Sequence, residues 1–514
     1  MLKSSFMKGC RFSLLVLIPL ILTGCGFNSR YSPSHIRSEY ARNSDAPLKP
    51  GGAARGDTGR PFAAAISTSP AAETRDETDN PLTLDRAIDM ALVNNPDLQQ
   101  AVHRWARVRA MKALADTAFW PMVGVYAEYL QGNAPSAFLF KTIDQRQLPA
   151  NINFNDPGWF ENYESGVNAR MNLFNGGKDY LSLRMAEQDL EISARDRQVI
   201  INDLKAQVIA AFFDVLAAER FVDIARQSIL TVSEQLRIIR IQYEGGGALK
   251  SDVLTLKVHL AQAEEALVES EKRRNLAKAV LAHLLGLDPA VDAPHLEPDA
   301  REDTAGFDIP ETCEEGIVYA LAHRPELAKV RNLLVKSRMG VDIARSGYLP
   351  RIDLMAKYYV DDPGLDYDRD RENWTTAILF NWDLFSGFST RARVSQAEAL
   401  LKEMLAADRE ATMGVKLDVK KTYLDLQAAR ARYEVAASSV TSAEESFRLV
   451  KEYYNGGTVT ITRYLAAELD RSRARMQSTA AFYDKIKAHA EFARAIGMLT
   501  DGNPKNDEKT VTDP

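Results

Sequence analysis

The chain writes one unit twice. The stretch ALVNNPDLQ at 91–99 returns as ALAHRPELA at 320–328, 229 positions later, and Pro121 in FWPMV returns as Pro350 in YLPRI at the same offset. Farther on the offset contracts to 211: NLFNGG (172–177) matches DLFSGF (383–388), YEGG (243–246) matches YNGG (454–457), and LGL (285–287) matches IGM (496–498). Eighteen residues are therefore extra in the first copy, between Pro121 and Asn172. A repeat of this length limits the fold more than any composition does, because each copy must build the same substructure.

Within each copy one segment exceeds anything a compact domain can cover. Residues 178–244 contain no Gly or Pro, and residues 388–455 contain no Pro and only Gly414. Both are dense in Ala, Leu, Arg and Glu at helical spacing, which makes each a rod about 100 Å long at about 1.5 Å per residue. Such rods must lie side by side in a coiled coil or in a wall shared with other copies. Each ends in a turn of small residues, GGGALKSD (245–252) or GGTVTIT (456–462), where Gly supplies the positive φ of a helix terminus and Ser251 or Thr462 is expected to cap the helix that returns. The return helices are expected over 251–285 and 461–496, and shorter ones upstream over 97–120 and 326–349. End to end, a short helix and a return helix span about 88 Å, nearly one rod.

Between short helix and rod the period changes from about 3.6 to 2. In RIDLMAKYYVD, Ile352, Leu354, Ala356, Tyr358 and Val360 share a face; in VNARMNL, Val167, Ala169, Met171 and Leu173 do. WTTAILFNWDL groups Trp374, Thr376, Ile378, Phe380, Trp382 and Leu384, and MVGVYAEYL groups Val123, Val125, Ala127 and Tyr129. Four segments of about 10 alternating residues have the length of outer-membrane strands. Trp120, Trp159, Trp374 and Trp382 lie in or beside them, as an interfacial girdle requires, while Trp105 sits on a helix. Four strands cannot close a barrel, and an open edge cannot face lipid. Two copies would give eight strands and a filled interior; three would give twelve and room for a channel.

The chain's start reads as a signal peptide over 1–24: Lys3, Lys8 and Arg11 precede an apolar run too short to span a bilayer. It ends in LTGC, which resembles a bacterial lipobox, so Cys25 is the expected lipidation site and 25–80, rich in Ser, Ala, Gly and Pro, an acylated flexible tether. Cys10 leaves with the signal, so Cys313 has no partner within the chain. The balance of 64 basic and 70 acidic residues leaves no footprint for nucleic acid.

Enzyme readings find no support. The seven His show no H-E-x-x-H or paired spacing; His103, His259 and His283 read as ordinary helix residues. GGGALKS lacks the Gly-Lys of a phosphate loop, and no paired Cys suggests zinc. The acidic DDPGLDYDRDREN (361–373) reads as a solvated outer loop rather than a calcium site. No metal and no cofactor is expected.

The doubled plan, NPDL and RPEL, the Pro at each helix-to-strand switch, LFNGG and LFSGF, and the Y-x-G-G tips together resemble the TolC-like outer-membrane efflux protein family, over about residues 81–499. The resemblance implies a mostly α protein with membrane β: a homotrimer whose twelve-strand outer-membrane barrel is continuous with a periplasmic helical barrel. It implies a passive exit duct for a tripartite efflux or type I secretion system, taking cargo from an inner-membrane pump of RND or ABC type through a periplasmic adaptor. The expected organisation is a first repeat at 81–290, a linker at 291–311, a second repeat at 312–499 and a polar tail at 500–514. The eighteen extra residues fall in the first outer loop, whose AFLF either folds over the mouth or simply packs the loop.

The rod-end turns resemble the family's periplasmic tips, which implies adaptor contact at Gly245, Gly246, Gly247, Ala248, Leu249, Ser251, Asp252, Gly456, Gly457, Thr458, Val459 and Thr462. Asp252 matches the acidic position of the first tip and Tyr454 the Tyr of the second; with Arg463 they are the gate candidates. Arg463 and Ala466 stand where some members carry acids, a departure that weakens the case for a lumenal carboxylate ring. The competing reading is a lipid-anchored periplasmic coiled-coil adaptor or structural protein without a pore, its alternating segments forming a soluble β-domain.

Overall fold

The structure, a computed structural model, describes residues 81–148, 150–153, 155–290, 296, 308–364 and 369–499. The expected signal peptide, Cys25, its tether, most of the linker and the polar tail lie outside the described residues. The first half runs α1 (Leu84–Asn94), α2 (Pro96–Asp116), β1 (Met122–Gly132), α3 (Pro135–Asp144), β2 (Phe160–Asn175), α4 (Lys178–Glu244) and α5 (Lys250–Leu284). The second runs α6 (Cys313–His323), α7 (Pro325–Ser346), β3 (Arg351–Asp362), β4 (Glu372–Asn381), α8 (Ser389–Asn455) and α9 (Ile461–Ile496). Among the described α-helices only α3 lacks a counterpart, and it lies in the connection 133–159, which in the second hairpin is 363–371.

The rods α4 and α8 are 67-residue helices that follow the two Pro-free runs, α8 running on through Gly414. The short helices differ from expectation. Each is preceded by an extra helix, α1 or α6, because Pro disfavours helical geometry in the residue before it. Asn95 (ψ 126°) and Arg324 (ψ 123°) are extended, and Pro96 and Pro325 each open a new helix. Asn95 Oδ1 accepts from the backbone N–H of Asp97 and Leu98, while Thr312 and Glu315 form a capping box at α6. Likewise α2 stops at Asp116 and α7 at Ser346, short of the expected ends.

The repeated Pro motifs mark a joint. Asn95 Nδ2 donates to the carbonyl of Leu284 at 3.0 Å, so the end of α5 stacks on the start of α2. In the second half Arg324 Nη1 donates to the carbonyl of Ala495 at 3.3 Å, and α9 stacks on α7 in the same way. One return helix and one short helix thereby run alongside each rod. The largest apolar core surrounds this level, joining Ala87 and Ala91 of α1, Ile209, Phe213 and Val215 of α4, Leu281 of α5 and Ala493 of α9. Leu296 of the linker is buried there and bridges Leu82 in parallel. A second core lies near the rod ends, where Val232, Leu236, Leu256, Phe447 and Tyr464 meet.

The four strands form one antiparallel sheet in the order β1-β2-β3-β4. Its register puts Val125, Val167, Tyr358 and Trp374 on one face and Glu164, Asp361, Asn168 and Lys357 on the other. The apolar face is exposed, Val125 by 85 %, Ile378 by 69 % and Trp374 by 76 %. No soluble sheet leaves its apolar face so bare. Strand β4 ends at Asn381, before the expected Trp382 and Leu384; the Trp382 indole instead donates to the carbonyl of Tyr348. Among the described residues no helix is long and apolar enough to cross a membrane.

Candidate functional site

The rod tips are two copies of one turn. In the first, Gly246 has φ 78°, its N–H reaches the Tyr243 carbonyl, and the Gly247 N–H reaches that of Gln242 at 2.7 Å. In the second, Gly457 has φ 73°, its N–H reaches Tyr454, and the Thr458 N–H and hydroxyl both reach Tyr453. This is the Schellman pattern, which satisfies the last helix carbonyls and reverses the chain. Gly245 and Gly456 are the C-caps, and among the described residues no atom of another element lies within 4 Å of where a Cβ on a tip glycine would sit. Ala248 and Val459 turn inward onto the tip core, whereas Leu249 stands 67 % exposed.

The capping roles expected of Ser251 and Thr462 are not found. Leu249 and Thr460 are the N-caps, neither with a side-chain cap, because α5 and α9 begin one residue ahead of Ser251 and Thr462. Ser251 Oγ instead lies 3.5 Å from Asp252 Oδ1. Asp252 is in the first turn of α5, where the helix dipole favours a negative charge.

Of the three gate candidates, Tyr454 and Asp252 lie near enough to interact electrostatically. Burial pushes the Tyr454 hydroxyl above its ordinary value, the Asp252 carboxylate adds to that rise, and a hydrogen bond with Gln235 opposes it. Tyr454 thus faces both Asp252 of α5 and the buried Gln235 of α4, and its ring lies 5.2 Å from that of Tyr464. Arg463 is exposed, and among the described residues it forms no ion pair.

A second polar contact between the hairpins was not anticipated. Glu468 of α9, 2 % exposed, lies 2.5 Å from Arg471, whose guanidinium sits 3.9 Å above the Phe447 ring and reaches Thr231 of α4. Burial raises the Glu468 carboxyl above its usual range, although Arg471, Arg475 and Ser228 favour the charged form. Its sequence signal is a charged pair on the face that carries Ile461, Tyr464 and Leu465 of the same helix. Among the described residues no cluster of His, Cys, Asp or Glu is arranged for a metal.

A sheet with an exposed apolar face, carried on rods that end in paired turns, defines a membrane duct component and not a catalyst. Residues 87–287 and 316–498 match the family model described as Outer membrane efflux protein, and the chain belongs to that family. It is an outer-membrane channel component of transport systems, not an enzyme, and the pore-less adaptor reading is not favoured. Family members work with periplasmic adaptors and inner-membrane pumps.

Among relatives, Protein CyaE of Bordetella pertussis is 26 % identical, over 82 % of this chain and 86 % of its own. Alkaline protease secretion protein AprF of Pseudomonas aeruginosa is 24 % identical, over 80 % and 84 %. The Campylobacter jejuni CmeC outer membrane channel has a similar fold, with TM-score 0.71 at 17 % identity over 83 % of this chain and 88 % of that one.

Proposed function

We propose that three copies of the chain close into one conduit, β4 of each pairing with β1 of the next to give twelve strands across the outer membrane. The carrying observation is the sheet's pair of unsatisfied edges beside a bare apolar face. Lipid tolerates neither edge, so siblings must supply the missing ladder. The same logic holds for the helices. α7 packs on both α8 of its own half and α4 of the other, whereas α2 packs on α4. Its other flank, with Met111 and Leu114 bare, fits α8 of a neighbour, whose Met413 and Leu417 are also bare.

In this reading the duct serves an efflux or type I secretion system, and an acyl group on Cys25 adds an anchor in the outer membrane. The tip turns receive a periplasmic adaptor, and the Asp252–Tyr454–Gln235 contact helps hold the tips shut until the adaptor docks. The pump behind it is of RND or ABC type. Extraction of the full-length protein from outer-membrane fractions as a detergent-stable trimer that conducts ions in planar bilayers supports this reading. A water-soluble particle without conductance rejects it.

A further inference from the structure

The extra residues of the first outer loop form a helix, and its position has consequences for what can leave the duct. α3 lies across the outer end of the sheet on the polar face. Phe138 packs edge-on against Phe160 of β2, with centroids 6.0 Å apart. Lys141 Nζ donates to Glu164 of β2 and, at 2.9 Å, to Asp361 of β3. Gln145 Nε2 donates to Asn162 Oδ1 at 2.8 Å and to the Glu161 carbonyl at 3.0 Å. Arg146, just beyond the helix, reaches Asn373 Oδ1 of β4 at 3.1 Å, and Asn373 Nδ2 returns a bond to the Asp144 carbonyl. The helix therefore spans β2 to β4 crosswise, pinned by residues whose side chains all belong to the polar face.

In a barrel immersed in lipid the apolar face points outward and the polar face lines the lumen. Given the three-copy reading above, α3 is then inside the mouth, not above it. Twelve strands about 4.8 Å apart and tilted about 40° close a ring roughly 24 Å across. A helix with its side chains is about 10–12 Å wide, so three helices laid around the inner rim leave an opening of only a few ångströms. On the side of α3 away from the sheet, Phe140 is 66 % exposed and Ile143 40 %. Around a threefold axis those side chains face their own copies.

We infer that α3 is a size-selecting closure at the outer mouth, separate from the tips, with Lys141 and Gln145 holding it down and Phe140 lining the residual opening. Large cargo requires α3 to lift from Glu164, Asn162 and Asp361. The closure is coupled to the membrane sheet, so opening the tips alone does not release it.

Sided labelling of the full-length protein in intact cells tests this. In a Cys313→Ser background, Thr375→Cys places a thiol on the polar face below α3, level with Lys357, and Thr376→Cys places one on the lipid face. A bulky, membrane-impermeant polyethylene-glycol maleimide is added outside. The Thr375→Cys thiol is expected to react slowly, and roughly tenfold or more faster when Lys141→Ala and Gln145→Ala remove the charge-assisted pins. Shortening 133–159 to the length of 363–371 should give the same acceleration without disturbing helix packing. Thr376→Cys should stay unlabelled throughout. Equal, fast labelling of Thr375→Cys with and without the pins, in a protein that still inserts as a trimer, overturns the closure while leaving the duct intact. Failure to insert, or labelling of both thiols alike, overturns the barrel and the closure with it.

Discussion

Ala169 of β2 stands directly opposite Ala356 of β3, where the first repeat's strands meet the second's. The repeat offsets give that pairing a second meaning. They carry the observed pair Val123 and Ala169 onto Ile352 and Phe380, which is also observed. Applied to Ala169 and Ala356, they place Phe380 of one copy opposite Ala127 of the next. In the three-copy duct proposed above, the seam between copies would repeat a seam already inside the chain, with Cβ atoms about 4.5–5.5 Å apart.

Gly286 has φ +73°, and a Cβ there would lie 2.4 Å from the Asn94 carbonyl oxygen. It sits at the joint where the end of α5 meets α2. Gly286→Ala is expected to destabilise the helical portion by about 2–3 kcal/mol, from left-handed strain plus overpacking. Gly246 shares the positive φ but faces open space, so Gly246→Ala should lose only about 1 kcal/mol. Denaturant midpoints of the two variants separate the effects.

Arg324, 8 % exposed, grips Glu326 with two nitrogens and reaches Asp418 at 2.7 Å. Arg324→Ala takes the two-nitrogen partner from Glu326, while Asp418 keeps Arg494 at 3.3 Å, and should destabilise by about 2 kcal/mol. Burial pushes the Glu326 carboxyl up, but Arg324 outweighs it and leaves it below its ordinary value. The stability this contributes is complete above the unfolded carboxylate range, about pH 4.3, and is lost as pH falls through the lower folded value. Glu326→Gln should flatten that acid limb in melts recorded against pH.

Glu468 has the opposite sign. Its folded carboxyl lies above the ordinary range because burial dominates, so stability declines as pH rises from that range through the folded value. The groups around it are Tyr464, Arg471 and Arg475 on α9 and Ser228 on α4. Glu468→Gln should remove the decline and leave the neutral-pH melting temperature near wild type. A large drop at neutral pH would mean that the pair with Arg471 outweighs the burial cost.

Asp252 and Tyr454 belong to different hairpins and interact electrostatically at a partly exposed site. Partly exposed electrostatic pairs contribute about 0.2–1 kcal/mol each, so in the proposed trimer three copies would make a weak, reversible latch. Asp252→Ala and Tyr454→Phe are each expected to raise leak conductance in planar bilayers. Arg463→Ala reports on contacts between copies of the proposed trimer, since Arg463 forms no ion pair among the described residues; unchanged leak in all three rejects the tip latch.

Much of this architecture was legible because its signals are periodic. The rods followed from the absence of Gly and Pro over 178–244, and the sheet faces from the alternation at 352–360, where one face must be apolar. Signals that depend on partners distant in sequence were not legible. Ser251 looked like a cap, but the helix began at Lys250, as set by the turn before it. α1 and α6 are weakly signalled: Thr312 and Glu315 spell a capping box, but Pro96 and Pro325 mark both a repeated motif and the start of a new helix. Gln235 and Glu468 matter only because another hairpin covers them.

The sharpest measurement is oxidative cross-linking of full-length protein carrying Ala127→Cys and Phe380→Cys in a Cys313→Ser background. Ala169→Cys with Ala356→Cys, the same register within one chain, serves as the positive control. If copies close the barrel, the first pair yields covalent trimers and dimers on a denaturing gel, neither single variant does, and moving one thiol to Leu379 abolishes the bond. Cross-linking confined to the monomer band, or absent while the control pair links, would contradict the shared barrel.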